Sequence, residues 1–124
     1  MLSALQLTSF PGLASSNAYG DERLMAILNY IQGNYQTVTL SEVAKHFHLT
    51  EPYISKYIKG KSGKTFVELV CDLRMKKAKT LLKNGTMAVE SIAATVGYPC
   101  VEHFNRVFKR RFNQTPTQYR KGQI

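Results

Sequence analysis

The chain states one two-helix pattern twice, and that repetition limits its fold more than any other feature of the 124 residues. Laying Thr39-Leu40-Ser41-Glu42-Val43-Ala44 over Ala88-Val89-Glu90-Ser91-Ile92-Ala93 gives an offset of 49, which carries Leu49 onto Tyr98. After one extra residue the offset becomes 50: Ile54 falls on Phe104, Ser55 on Asn105, Lys56 on Arg106, Ile58 on Phe108, Lys59 on Lys109, Gly63 on Asn113 and Thr65 on Thr115. A repeat of this kind builds two similar small units.

Periodicity and capping signals place the helices. Leu24, Ile27, Leu28 and Ile31 share one face of a helix from Asp21 to about Tyr35. Thr39-Leu40-Ser41-Glu42 is a capping box, and Leu40, Val43, Ala44 and Phe47 face inward behind it. His48-Leu49-Thr50 makes a turn with Thr50 as N-cap, and the following helix runs to about Lys59, buries Ile54, Tyr57 and Ile58, and ends in Gly60 to Gly63. Thr65-Phe66-Val67-Glu68 is a second capping box. It opens a long helix with Phe66, Leu69, Val70, Leu73, Ala78, Leu81 and Leu82 at helical spacing, up to the stop at Asn84-Gly85. Further helices are expected over about Val89 to Val96, from about Cys100 to Arg111, and after Thr115-Pro116, the last carrying Tyr119. The expected fold is therefore all-α, about seven helices, with two helix-turn-helix subdomains at about 39–60 and 89–111. A connecting helix at about 66–83 joins them into one domain over 21–124. Residues 1–20, with Phe10-Pro11-Gly12 and Ser15-Ser16-Asn17, read as a linker or tail.

The net charge of +9 calls for a polyanionic partner, and its distribution says where. Residues 1–55 hold two basic residues against four acidic ones, whereas residues 56–124 hold fifteen against four. Two cysteines make no disulfide framework, no leader pattern stands at the start, and no apolar run approaches the roughly 18 residues of a membrane span. A cytoplasmic, nucleoid-associated protein with no membrane partner, cofactor, metal or enzymatic role is expected. Two similar units with this charge suit successive major-groove segments of double-stranded DNA.

At Ile92-Ala93-Ala94-Thr95-Val96-Gly97-Tyr98, then His103 through Phe112, then Thr115-Pro116-Thr117-Gln118-Tyr119-Arg120, the chain resembles the AraC/XylS family of bacterial transcription regulators. The likeness covers Asp21 to Arg120 and includes the run from Leu73 to Leu82, which is similar to the family's connecting helix. Physical logic runs beside it. An Ile-Ala pair packs one helix closely on another, Gly97 allows the sharp turn, and Phe104 and Phe108 anchor the second helix. Its other face presents Val101, Glu102, Asn105 and Arg106 at about one helical turn, the spacing that touches adjacent base edges. Arg106 can pair bidentately with guanine, worth about 1–3 kcal/mol of discrimination.

The resemblance implies that Glu51, Pro52, Ser55 and Lys56 form the corresponding face of the first unit. Pro52 offers only apolar contact, so this face contributes more positioning than reading. Phosphate contacts are expected from Lys59, Lys61, Ser62, Lys64, Lys109, Arg110, Arg111, Thr117 and Arg120. The lysines at 76, 77, 79 and 83 read as a solvated face. Ala88 stands where the family usually has a capping Ser or Thr, and Asn113 where it usually has Gly, a position Asn tolerates because it adopts the left-handed conformation. Transcriptional control, with RNA polymerase as a partner, is what the family implies. Two alternatives stay open: the reading portion of a larger ligand- or phosphorylation-controlled protein with a sensor domain upstream, and a thiol-based sensor or methyl acceptor at Cys100.

Overall fold

The computed structural model describes residues 21–122, so the expected tail at 1–20 lies outside the described residues. Among the described residues there are seven helices and no strand: α1 Glu22–Asn34, α2 Leu40–His46, α3 Glu51–Ser62, α4 Phe66–Asn84, α5 Val89–Val96, α6 Val101–Phe112 and α7 Pro116–Lys121. They divide into two compact units whose boundary falls between Leu73 and Arg74, inside α4. Among them no helix is long and apolar enough to cross a membrane.

In the first unit each helix start carries its own cap. Asp21 accepts from the Leu24 amide, Thr39 and Glu42 close a reciprocal box, and Thr50 accepts from Tyr53. The expected box at Thr65 and Glu68 also forms, at 2.8 and 3.1 Å. Such caps satisfy amides that a helix leaves without intrahelical partners, at about 1 kcal/mol each. The core they deliver is aliphatic: Leu24, Ile27, Leu28 and Ile31 of α1, Val43 and Ala44 of α2, Ile54 and Ile58 of α3, and Leu69, Val70 and Leu73 of α4. Leu40, Phe47 and Tyr57, expected inside, are only partly buried against this cluster. The α3 helix runs three residues past the expected stop at Lys59. Gly60 is tolerated within it, and the left-handed Gly63 at φ 81° ends it, its amide donating back to the Lys59 carbonyl at 2.9 Å.

The second unit buries Met75, Ala78, Leu82, Ile92, Ala93, Val96, Tyr98, Phe104 and Phe108. Met75 escaped the periodic reading. It belongs to a repeat that extends further upstream than the two-helix motif: at an offset of 51, Arg23, Leu24, Ile27 and Ile31 of α1 fall on Arg74, Met75, Ala78 and Leu82 of α4. The second half of α4 thus serves its unit as α1 serves the first. Lys79, expected on a solvated face, is half-buried with its ammonium 4.6 Å from the Phe112 ring centre and 5.4 Å from that of Tyr119.

Backbone geometry confirms the repeat independently of residue type. Among the described residues, positive φ occurs at His48 (57°), Gly63 (81°), Gly97 (108°) and Asn113 (61°), which pair as 48 with 97 and 63 with 113. After the first helix of each motif the same two bonds close the turn. Leu49 donates to Ala44 at 2.9 Å and His48 to Lys45 at 3.2 Å, and Tyr98 donates to Ala93 at 2.8 Å and Gly97 to Ala94 at 3.1 Å. The turn needs a left-handed residue, and in the first unit a histidine bears that strain. The single extra residue lies in the second turn: one residue separates His48 from the N-cap Thr50, and two separate Gly97 from the N-cap Cys100.

Candidate nucleic-acid interface

Each motif's second helix is held by two fully buried anchors one turn apart, Ile54 and Ile58 under α3, Phe104 and Phe108 under α6. Burying one stripe turns the opposite stripe outward, because residues three and four apart share a face. On α6 that leaves Glu102, Arg106, Lys109, Arg110 and Arg111 exposed, with Val101 and Asn105 half-buried at its edge. On α3 it leaves Glu51, Pro52, Ser55, Lys56 and Lys59 exposed. The structure therefore brings together, within each helix, the side chains expected to read bases.

The start of α6 has its own electrostatics. Its N-cap Cys100 makes no capping bond; the thiol instead donates to Glu102 Oε1 at 3.1 Å. That hydrogen bond, with the helix-start amide and the charge of Arg106, holds the Glu102 carboxyl below the usual carboxylate range. Glu102 is thus an ionised acceptor one turn before a cation. Asn105 sits differently from its neighbours: its Oδ1 is shut off from solvent and has no hydrogen-bond partner in a groove of about 540 Å³ between Ala88–Glu90 and Thr115–Thr117. A buried acceptor left unmatched costs about 1–3 kcal/mol.

Four expected phosphate contacts are engaged elsewhere. Ser62 is buried, donating to Ile58 at 2.6 Å and accepting from the Lys64 amide at 3.1 Å, so it closes the end of α3 and is out of reach of a phosphate. The Lys64 ammonium lies 2.6 Å from Asp72 Oδ2, a carboxylate 4% exposed, and compensates a buried charge. Arg120 donates to the Leu82 carbonyl at 3.1 Å and to that of Met87 at 2.7 Å, clamping the C-terminal end of α4 and the loop after it. Lys61 pairs with Asp21 at 3.4 Å across the unit, though half of its side chain stays in solvent. Lys59, whose ammonium donates to the Gly63 carbonyl of its own helix end at 3.2 Å, and Lys109, Arg110, Arg111 and Thr117 have exposed side chains.

Asp21 is the hub of a cluster that motif reasoning missed. It accepts from the Tyr57 hydroxyl at 2.6 Å as well as from Leu24 and Lys61. The Tyr57 bond is the chief reason its carboxyl lies below the usual range. Burial, and then the same bond, push Tyr57 up to about 12. Arg23 lies 5.7 Å from the Tyr57 ring centre and donates to the Tyr53 hydroxyl at 3.1 Å. The signals were present in the sequence: Tyr53 and Tyr57 stand four apart on α3, and Arg23 repeats at Arg74, itself 5.2 Å over the Tyr98 ring.

A model of the helix-turn-helix domain matches residues 43–122. The chain belongs to the AraC/XylS family of transcription regulators. Among AraC/XylS relatives, the HTH-type transcriptional regulator YpdC of Escherichia coli is 34% identical over 85% of this chain. That match covers 37% of YpdC, so the chain spans little more than a third of the relative's length. Among solved structures, the C-terminal domain of AraT, a response regulator from Geobacillus stearothermophilus, superposes with a TM-score of 0.80 at 30% identity, covering 84% of this chain and 88% of that one. The DNA-binding domain of AdpA, solved in complex with a target DNA, shares the fold at a TM-score of 0.76 and 14% identity, over 82% of this chain and 93% of that one. The all-α fold with two helix-turn-helix subdomains and the DNA-binding class of the domain are thereby those expected from the sequence.

Proposed function

We propose that α3 and α6 enter successive major-groove segments on one face of double-stranded DNA, roughly 34 Å apart, and divide the labour of recognition. The observation that carries this reading is the outward stripe of α6, where Glu102 and Arg106 stand opposite the buried Phe104 and Phe108. Arg106 pairs with guanine, Glu102 accepts from a cytosine amino group, and Val101 and Asn105 complete the reading edge. The face of α3, with Glu51, Pro52, Ser55 and Lys56, mainly positions the domain, and Lys59, Lys109, Arg110, Arg111 and Thr117 hold phosphates. Sites selected from a random DNA pool are then expected to show a strong motif and a weak one, centred about 10 base pairs apart. Arg106→Ala relaxes the strong motif at one or two base pairs, whereas Lys59→Ala weakens all sequences alike and lowers the salt slope by about 1. Equal effects of both changes on selected and random DNA overturn the division.

We further propose that the chain is the DNA-reading part of a larger regulator that acts on RNA polymerase in the cytoplasm. The relatives' greater length and the response-regulator origin of the AraT domain support a sensor or receiver portion. The protein isolated from its source cells is then expected to have a mass well above that of the 124-residue chain. A mass equal to it refutes this reading.

A further inference from the structure

We propose that Arg23, on a helix outside both helix-turn-helix motifs, is a DNA-phosphate contact held in place by the reading helix α3. It rests on the DNA-binding reading above and adds to it a residue that no motif contains. The first unit needs such a residue. Up to Leu73 its basic residues Arg23, Lys45, Lys56, Lys59, Lys61 and Lys64 are matched by six acidic ones, Lys61 and Lys64 are already paired with Asp21 and Asp72, and the first turn of α3 carries Glu51. A helix that enters a polyanionic groove with an acid leading requires compensation from nearby.

The fold supplies it from α1. The Arg23 guanidinium is tethered to α3 twice, by its hydrogen bond to the Tyr53 hydroxyl at 3.1 Å and by its position 5.7 Å over the Tyr57 ring. Both tethers leave its charge unneutralised, and among the described residues no carboxylate lies within ion-pair distance of it. Asp21, two residues before it, is already held by Tyr57 and Lys61. Arg23 remains exposed, and Tyr53 is 46% exposed.

The direction of the tether matters. A helix with its side chains is about 10–12 Å across and the major groove about 12 Å wide, so side chains flanking the reading stripe meet the phosphate walls. Tyr53 follows Pro52 by one residue and precedes Lys56 by three, which puts it on such a flank. Its hydroxyl accepts from Arg23 and keeps its own proton for an acceptor, so a phosphate oxygen placed there meets a hydroxyl and a guanidinium together.

The test is the salt dependence of binding to a mixed-sequence DNA duplex, where phosphate contacts act irrespective of sequence. Arg23→Gln is expected to lower the slope of log K against log[salt] by about 0.9, the release of one counterion. Arg23→Lys, which keeps the charge, is expected to restore most of the slope, and Tyr53→Phe, which keeps the charge but frees it, to lower affinity by less than Arg23→Gln. Lys59→Ala runs beside them as the control. If Lys59→Ala lowers the slope and Arg23→Gln does not, the inference fails while the DNA-binding reading stands. If Arg23→Lys lowers the slope as far as Arg23→Gln, the residue acts through structure and the inference is overturned. If the unaltered protein binds duplex with no salt dependence, the DNA-binding reading fails first and takes the inference with it.

Discussion

The two units are the same motif stabilised in opposite ways. In the first, Asp21, Thr39 and Thr50 cap the helix starts, the fully buried core is aliphatic, and the aromatic rings lie at its margin, with Tyr30 stacked on His46 at 4.2 Å and Tyr53 on Tyr57 at 6.1 Å. In the second, neither Ala88 nor Cys100 caps its helix, and the rings are inside: Phe108 packs at 5.9 Å on Phe104, 4.7 Å on Phe112 and 5.8 Å on Tyr119. With α5 of eight residues and α7 of six, the second unit fills its core with ring volume and covers the rings with Arg74 and Lys79. Identical backbone turns therefore tolerate quite different ways of holding a reading helix, provided the same two positions are anchored.

The largest test of that contrast compares those anchors. Phe108→Ala removes a ring that three other rings contact and is expected to cost about 4 kcal/mol, whereas Ile58→Ala in the aliphatic core costs about 3. Urea unfolding measures both, and an equal or reversed order shows that ring packing adds nothing to the second unit. Next comes the buried ion pair of the first unit. Lys64→Met removes the ammonium beside the buried Asp72 carboxylate and is expected to cost about 3 kcal/mol, most of it recovered when Asp72 is also replaced by Asn. No recovery in the double variant means that the ammonium acts through other contacts.

Arg120 offers a smaller effect within the second unit. Arg120→Ala is expected to lower stability by about 2 kcal/mol, the loss of charge-assisted bonds to Leu82 and Met87, and to leave the salt slope of DNA binding unchanged. A reduced slope at unchanged stability returns Arg120 to the phosphate set. Smaller again is the missing cap: Ala88→Ser is expected to add about 1 kcal/mol to the second unit by calorimetry, making it more like the first. No gain shows that the α5 start is already satisfied.

A last difference is confined to alkaline pH. Tyr57 is raised in the fold from 10.0 to about 12, so the neutral form is favoured there. Its stabilisation is complete below pH 10 and lost as pH rises toward 12. Tyr57→Phe is expected to flatten the fall in melting temperature across that window, and a fall identical in both proteins counts against the Asp21 hub.

Much of this was legible from residues alone, because the signals are local. A capping box joins Thr65 to Glu68 three residues away, a left-handed turn needs Gly97 or Asn113 at one position, and a buried stripe recurs every three to four residues. These determine the seven helices of the described residues, the repeat, and which side of α3 and α6 is outward. Side-chain chemistry does not determine what a charged group faces. Ser62, Lys64 and Arg120 read as phosphate ligands because a hydroxyl or cation near a reading helix has that chemistry. Their partners, a carbonyl one turn back, a carboxylate eight residues on and carbonyls 33 and 38 residues back, are set by packing. The same holds in the other direction for Arg23, which stands 30 residues from Tyr53 in the chain and reaches the reading helix only because α1 and α3 share a core. Burial and electrostatics act through space, so the tertiary structure alone decided which cations hold the fold and which stay exposed.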